Sequence, residues 1–268
     1  MSIPKVIHYC WFGRNPKPKL AEKCIKSWEK YCPDYNIIEW NEDNFDIIAC
    51  PRYVRQAYEA KQWAFVTDYV RLKIIYEYGG IYMDTDVELI KSLDVLLECT
   101  AYFGFENEKF ISTGLGFGAE KGTLILEEIM KDYENITFIR EDGFFDSIPC
   151  PIRNTDVFIR HGLKQDGTYQ ILNGGIQLLP SEYLCPITYY SGEKNITQNT
   201  ISIHWFSASW QTKKKKEQHA KKIAEMRRAR KRDYLIHVPN RILKYMMGDA
   251  NYEKLKKRLK RGESYDSN

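Results

Sequence analysis

Residues 63–88 read WAFVTDYVRLKIIYEYGGIYMDTDVE, and this stretch decides the fold. Phe65, Tyr69, Leu72 and Tyr76 recur at helical spacing, with Val66, Val70 and Ile74 beside them. Asp68 and Arg71, three residues apart, share one face of that helix. Gly79-Gly80 is a C-terminal stop, because glycine accepts the left-handed backbone found there. Ile81-Tyr82-Met83 is then a short strand that delivers Asp84 and Asp86 into a loop. Residues i and i+2 share a face of a strand, so two carboxylates placed this way can aim at one cation. Oxygen ligands with room for phosphate oxygens suit Mg²⁺ or Mn²⁺. A bare Asp-x-Asp is more often a pair of solvated loop aspartates, and the preceding helix, double glycine and aromatic strand are what narrow the choice here.

Working outward, the N-terminal side is a β-α-β opening. Ile3 to Phe12 is rich in β-formers and ends at Gly13; Leu20 to Tyr31 has Leu20, Cys24, Ile25 and Trp28 on one helical face; Tyr35 to Trp40 is a second strand. His8, on the first strand, reads as a hydrogen-bonded core histidine. Pro51 to Lys61 is a further helix that starts at a proline. The pattern is α/β with nucleotide-type connections. Beyond Asp86, Ala101 to Phe105 reads as a strand, Ile111 to Ala119 as a glycine-laced strand or loop, and Thr123 to Tyr133 as a helix. Residues 135–200 resolve only into short elements punctuated by Pro149, Pro151, Asn173-Gly174-Gly175, Pro180 and Pro186. Ile201 to Phe206 is the last strand.

Gly114, Gly116, Gly118 and Gly122 invite a phosphate-loop reading. Their spacing lacks the Lys-Ser/Thr of a P-loop and does not open the first β-α unit, which leaves close packing or an acceptor-facing loop. Asn154-Thr155-Asp156 and Asn173-Gly174-Gly175 are either acceptor-side residues or simple turns.

The net charge of +4 conceals an uneven distribution. From Gln211 onward there are 19 Lys+Arg against 7 Asp+Glu, a net +12, which leaves residues 1–210 at −8. The boundary of the globular domain is expected near residue 212, giving a globular body over 1–212 and a basic, helical tail over 213–268. Seven cysteines with no C-x-x-C pair argue against a disulfide framework or a zinc ribbon. The opening MSIPKVIHYCWFG lacks the apolar run of a signal peptide, and no stretch reaches the roughly 18 apolar residues of a membrane span. The expected place is the cytoplasm. Tyr (19), Phe (12) and Trp (6) are plentiful, as suits a site that binds sugars and bases, or a Tyr-rich core.

The run Asp68-x-x-Arg71 followed by Gly79-Gly80-Ile81-Tyr82-x-Asp84-x-Asp86 resembles the signature of the DXD-containing glycosyltransferases of family 32. That family includes yeast-type α-mannosyltransferases and bacterial capsule or exopolysaccharide sugar transferases. The catalytic domains of the large clostridial glucosylating toxins share its core motif. The opening IPKVIHYCWFG also resembles the family's first strand. The resemblance implies a GT-A-like, Rossmann-type nucleotide-sugar domain with a mixed central sheet. It implies that Trp11 stacks on the base, that Asp68 and Arg71 hold donor-sugar hydroxyls, and that Tyr82 lines the donor site. Asp84 would reach the ribose and the metal side, while Asp86 would bind Mn²⁺ or Mg²⁺ directly. A late strand would add His204 as a third metal ligand or leave it an ordinary strand histidine. Ser207 would reach metal or phosphate, and Trp210 would cover the diphosphate.

The activity so implied is metal-dependent, retaining transfer of a hexose from a nucleotide-diphosphate sugar, UDP-sugar preferred, to a hydroxyl of a growing, lipid-linked glycan. In the tail, Lys213–Lys216 and Arg227–Arg232 flank Ile223, Ala224 and Met226, with Ile242, Leu243, Met246, Met247, Leu255 and Leu259 further on. Apolar residues among cations fit a helix lying on an anionic membrane, here the inner face of the cell membrane, or a partner-binding tail. Nucleic acid is not expected, because no recognition fold accompanies the charge. Two other readings stay open. One is an aspartate-nucleophile phosphatase using Asp84 and Asp86, for which Asp249 with Glu253, in the basic tail, is the only loose candidate for the acidic pair such enzymes need; the other is a non-catalytic glycan- or membrane-binding protein.

Overall fold

The structure is a computed structural model that describes residues 2–207 and, beyond them, 214, 217–226, 228–229, 244–246 and 248–261. The chain divides into two compact units, Met1–Thr212 and Lys213–Asn268. In the second, residues 217–226 are helical and a further helix spans Asp249–Arg261. Trp210 and most of the basic runs lie outside the described residues. Among the described residues no helix is long and apolar enough to cross a membrane.

The first unit opens with strand β1 (Val6–Cys10), helix α1 (Lys19–Tyr31) and strand β2 (Asn36–Trp40). Helices α2 (Arg52–Glu59) and α3 (Trp63–Tyr78) lead into β3 (Gly80–Tyr82), which lies on the other side of β1. All three strands are parallel. The chain thus departs from β1 in one direction and returns on the other, which opens a crevice at the carboxyl ends of β1 and β3. After β4 (Val87–Leu89) come β5 (Ala101–Phe105), β6 (Ile111–Ser112), β7 (Phe117–Ala119), α4 (Leu124–Glu134), α5 (Cys150–Arg160), β8 (Gln170–Leu172), β9 (Ile176–Leu179) and α6 (Ser181–Leu184). The main sheet runs β2-β1-β3-β7-β5-β9-β8, with β6 beside β5. Because β7 is antiparallel to both β3 and β5, the sheet is mixed, and β5 points its carboxyl end the same way as β1 and β3. A separate two-stranded ribbon pairs β4 with β10 (Ser202–His204).

Two apolar clusters cover the faces of this sheet. Ile7, Tyr9, Cys24, Trp28, Ile81 and Met83 belong to the α1 side; Cys10, Phe12, Val66, Val70, Leu72 and Tyr82 belong to the α3 side. This alternation along β1 and β3 is the period-2 pattern of strands buried on both faces. Helix α3 is apolar nearly all round, and Asp68 and Arg71 are buried along with its hydrophobic residues. His8 is a satisfied core histidine: Trp40 Nε1 donates to Nδ1 at 3.0 Å, and Nε2 donates to the Gly79 carbonyl at 3.1 Å.

Three open readings resolve. The stretch Ile111–Ala119 is two strands, broken by a 3-10 turn at Thr113–Leu115. Asn173-Gly174-Gly175 is the turn of the β8–β9 hairpin and is absent from the residues lining the crevice. Asn154 and Thr155 lie inside α5 and are buried, the Thr155 hydroxyl accepting from Ile111 N at 2.9 Å, so they too are structural.

Candidate active site

The crevice is a cleft of about 660 Å³. Its walls come from strand ends: Trp11 and Phe12 after β1, Tyr82 at the end of β3 with Asp84–Asp86 after it, Glu106 after β5, and His204 at the end of β10 with Phe206 and Ser207 after it. Helix α3 contributes Asp68 and Arg71, and the start of α5 contributes Cys150 and Pro151. A cavity of this size takes a ligand as large as a nucleotide sugar.

The short link between α3 and β3 sets the aim of the aspartates. Gly79 caps the helix at φ +70° and Gly80 follows at φ +102°. A Cβ on Gly80 would meet the Val6 carbonyl at 2.8 Å, so only glycine lets the chain turn directly into the sheet beside β1. Tyr82 then faces Asp84 across the pleat, and its hydroxyl donates to Asp84 Oδ1 at 2.9 Å. Arg71 is clamped by its own helix: Nε donates to Thr67 O at 2.9 Å and Nη2 to the Thr67 hydroxyl at 3.1 Å. Held so, Nη2 lies 3.1 Å from Asp68 Oδ1 and 3.4 Å from Asp84 Oδ1, with the guanidinium 5.0 Å from the centre of the Tyr82 ring.

Asp86 is fixed by the ribbon. The register His204↔Val87 brings the end of β10 alongside the aspartate loop. Helix α1 ties the ribbon down, since Trp28 Nε1 donates to Val87 O at 2.7 Å and Leu89 N donates to the Ser27 hydroxyl at 2.9 Å. Trp205 N donates to Asp86 O at 3.0 Å. Phe206 adopts φ +51°, a left-handed backbone that an aromatic residue rarely takes, and the turn directs Ser207 N to Asp86 Oδ2 at 2.7 Å. His204 Nε2 lies 3.2 Å from Asp86 Oδ1.

The electrostatics of the cleft are those of an under-neutralised acidic cluster. Burial pushes the Asp68 carboxyl up to about 6, with Arg71 opposing. Burial also raises Asp84 against the pull of Arg71, and raises Glu106 against that of His204. Asp86 goes the other way: burial would raise it, but the charge and hydrogen bond of His204 and the Ser207 amide hold it well below the usual carboxylate range. His204 is correspondingly pushed well above an ordinary imidazole, Asp86 outweighing its burial.

Ligand atoms of Asp84, Asp86 and His204 all lie within 4.8 Å of one another, and this two-carboxylate, one-imidazole set suits a divalent cation such as Mn²⁺. Gly114 keeps that space open. A Cβ there would meet Asp84 Oδ2 at 2.7 Å and Arg71 Nη1 at 3.1 Å.

Of the residues expected at the site, Trp11, Asp68, Arg71, Tyr82, Asp84, Asp86, His204 and Ser207 line one cleft; Trp210 lies outside the described residues. Trp11 Nε1 donates to Asn15 O at 2.7 Å, which fixes the ring at the cleft wall. Sequence reasoning missed Glu106, Ser112, Cys150, Tyr189, Tyr190 and Phe206, which line it too. Cys150 had a readable signal, since Pro149-Cys150-Pro151 opens α5 with a proline in the first turn.

Residues 18–102 match the model of a glycosyltransferase sugar-binding region containing a DXD motif. Two fission-yeast (Schizosaccharomyces pombe) proteins are similar. Inositol phosphoceramide mannosyltransferase 3 is 31% identical over 141 residues, covering 51% of this chain. Inositol phosphoceramide mannosyltransferase 1 is 29% identical over 127 residues, covering 42% of it. In both cases the match spans 39% of the relative's own length. Among solved structures, the PaToxG glycosyltransferase aligns at a TM-score of 0.46 and 17% identity, over 59% of this chain and 70% of that one. A glycosyltransferase involved in glycosylation of the major capsid of PBCV-1 aligns at a TM-score of 0.43 and 12% identity, over 84% of this chain and all (100%) of that one. With its aspartate pair seated at the end of β3 inside the matched segment, the chain is similar over residues 18–102 to the DXD-containing glycosyltransferases.

Proposed function

We propose that the protein transfers a hexose from a nucleotide-diphosphate sugar, UDP-sugar preferred, to a hydroxyl of a lipid-linked glycan acceptor, with a divalent cation, Mn²⁺ or Mg²⁺, held by Asp84, Asp86 and His204. The observation that carries this reading is the convergence of the α3 pair, Asp68 and Arg71, with the strand-end aspartates on one cleft beside Trp11. A metal site alone would suit many reactions; a buried Arg–Asp pair beside it suits a polyhydroxylated ligand next to a diphosphate.

In this reaction the bond from the anomeric carbon to the diphosphate oxygen breaks and the electron pair leaves with the nucleotide diphosphate. A new bond forms to the acceptor oxygen, whose proton is released. The cation, when bound, supplies positive charge to the departing diphosphate. Arg71, kept charged by Asp84 and Asp68 despite its burial, adds fixed positive charge that needs no reorganisation. Trp11 offers a pinned aromatic face for the base, and Asp68 an acceptor for sugar hydroxyls. Ser207 N–H and Tyr82 O–H hold the two aspartates in place, so neither has to be ordered by the ligand.

The names of the fission-yeast relatives support a hexosyl donor and an acceptor that carries a lipid. The basic tail supports attachment to an anionic membrane, at the inner face of the cell membrane.

The test is a panel of UDP-glucose, UDP-galactose and GDP-mannose with Mn²⁺, run without acceptor and read as free nucleotide diphosphate. Slow, metal-dependent release from one donor is expected, and chelation should abolish it. Hydrolysis of a phosphate monoester with no donor turnover would replace this reading with the phosphatase one.

A further inference from the structure

Between residues 139 and 152 the chain leaves Ile139, Phe144, Phe145, Ile148 and Ile152 exposed; Phe144 is 69% accessible and Ile148 and Ile152 are 45%. No other described stretch of that length leaves as many large apolar side chains in solvent. Single exposed hydrophobics are ordinary, whereas a contiguous group of them marks an interaction surface.

This segment is a built hairpin. Ile139 and Phe145 form an antiparallel bridge, Arg140 N donates to Phe144 O at 3.0 Å, and Asp146 N donates to Phe138 O at 2.7 Å. Its root is fixed in the core: Phe138 is fully buried and stacks on Phe145 at 4.9 Å, while Phe138 N and Ile139 N both donate to Gln56 Oε1 at 3.0 and 3.2 Å. Asp146 pairs with Arg153 of α5. The chain then runs directly into Ser147, Pro149, Cys150 and Pro151, which line the cleft. The hairpin therefore stands at the mouth of the cleft and turns its apolar residues away from the core.

We propose that this hairpin dips into the headgroup–acyl boundary of a bilayer and holds the cleft mouth at the level of a membrane-borne acceptor. The inference rests on the lipid-linked acceptor proposed above. A second copy of this chain is a poor occupant, because a stable dimer buries roughly 800 Å² on each partner and five partly exposed side chains supply a fraction of that. A bilayer asks for less. Shallow insertion of a few aromatic and branched side chains becomes firm attachment when a polybasic segment adds to it, and residues 211–268 carry a net +12.

The experiment uses the full chain and vesicles of phosphatidylcholine and phosphatidylserine. In Phe144→Trp, the fluorescence of the introduced indole should be quenched by lipids brominated on the acyl chain. The double variant Phe144→Ser/Ile148→Ser should bind the vesicles roughly tenfold more weakly or worse. Its donor hydrolysis in solution should be unchanged, since both residues are exposed and outside the donor site. An unquenched indole in the Phe144→Trp variant, or unaltered vesicle affinity in the double variant, overturns the proposal. A double variant that instead loses self-association by sedimentation velocity assigns the hairpin to a protein contact and also overturns it. Quenching in a protein that turns over no donor would leave the membrane contact standing and remove the transferase reading. Donor turnover without quenching would do the reverse.

Discussion

The two rims of the cleft invert the usual arrangement of a soluble protein. On the α3 side, Asp68, Arg71 and Asp86 are buried and charged; on the hairpin side, Phe144, Ile148 and Ile152 are exposed and apolar. Burying a charge is costly unless it is paired, and leaving apolar surface in water forgoes the main driving force of folding. Both rims are nevertheless rigidly built, one through Thr67, Tyr82 and Ser207 and the other through Phe138, Gln56 and Arg153. Stability alone accounts for neither, and the contrast separates what the fold needs from what the ligands need.

The polar rim should be the more fragile. Asp86→Ala removes the carboxylate that meets both His204 and Ser207 N, and is expected to abolish metal-dependent donor hydrolysis, a loss on the order of a thousandfold or more. Calorimetric titration with Mn²⁺ is the check, and an unchanged affinity would remove Asp86 from the metal site. His8 gives the next largest effect and concerns stability. It sits on β1 opposite Tyr82, and burial lowers its pKa from 6.5 to about 4, the Gly79 carbonyl opposing. Above pH 6.5 the imidazole is neutral in both states, so stability is full. As pH falls from there toward 4 the unfolded chain takes up a proton that the fold refuses. The folded state should lose about 3 kcal/mol across that window. Urea unfolding at stepped pH, compared between the parent protein and His8→Gln, isolates this contribution from that of the carboxylates.

Gly114→Ala comes third. The new methyl must displace Asp84 Oδ2 or Arg71, and donor hydrolysis should fall about 10- to 100-fold with little change in Tm. A normal rate would mean that the Asp84–Arg71 geometry is unimportant to turnover. The smallest effect belongs to the other rim. Phe144→Ser should change unfolding free energy by no more than about 0.5 kcal/mol, because the side chain touches little in the folded state. A large destabilisation would show that the hairpin tip is part of the core after all and would erase the contrast.

The sequence made the polar rim readable and the apolar rim opaque, for a physical reason. Asp68, Arg71, Gly79, Gly80, Tyr82, Asp84 and Asp86 lie within one helix–turn–strand unit, so chain spacing alone determines which side chains converge. His204 could be suggested only through family resemblance, because its approach to Asp86 depends on the β4–β10 pairing. Glu106, Cys150 and Tyr190 reach the cleft from three further elements, and no local periodicity announces them. Residues 135–200 were obscure because their elements are short and their partners distant. The hairpin's root, for instance, is held by Gln56, some 82 residues away. For Asn173-Gly174-Gly175 the turn alternative is the one that holds, in keeping with a glycine pair between apolar runs as a hairpin signal. It turned out to be the β8–β9 turn, with no place in the cleft.

The β4–β10 ribbon also imposes an order of events. Ser207 N and the Asp86 carboxylate that it fixes are 121 residues apart in sequence. During synthesis the aspartate loop emerges long before the strand that completes it, and until then Asp84 and Asp86 are an open pair. Contacts this far apart form late, after the entropy of closing the intervening chain has been overcome. A cation that requires His204 as well as the aspartates would therefore report a finished domain, and its capture would mark the moment at which the cleft is complete.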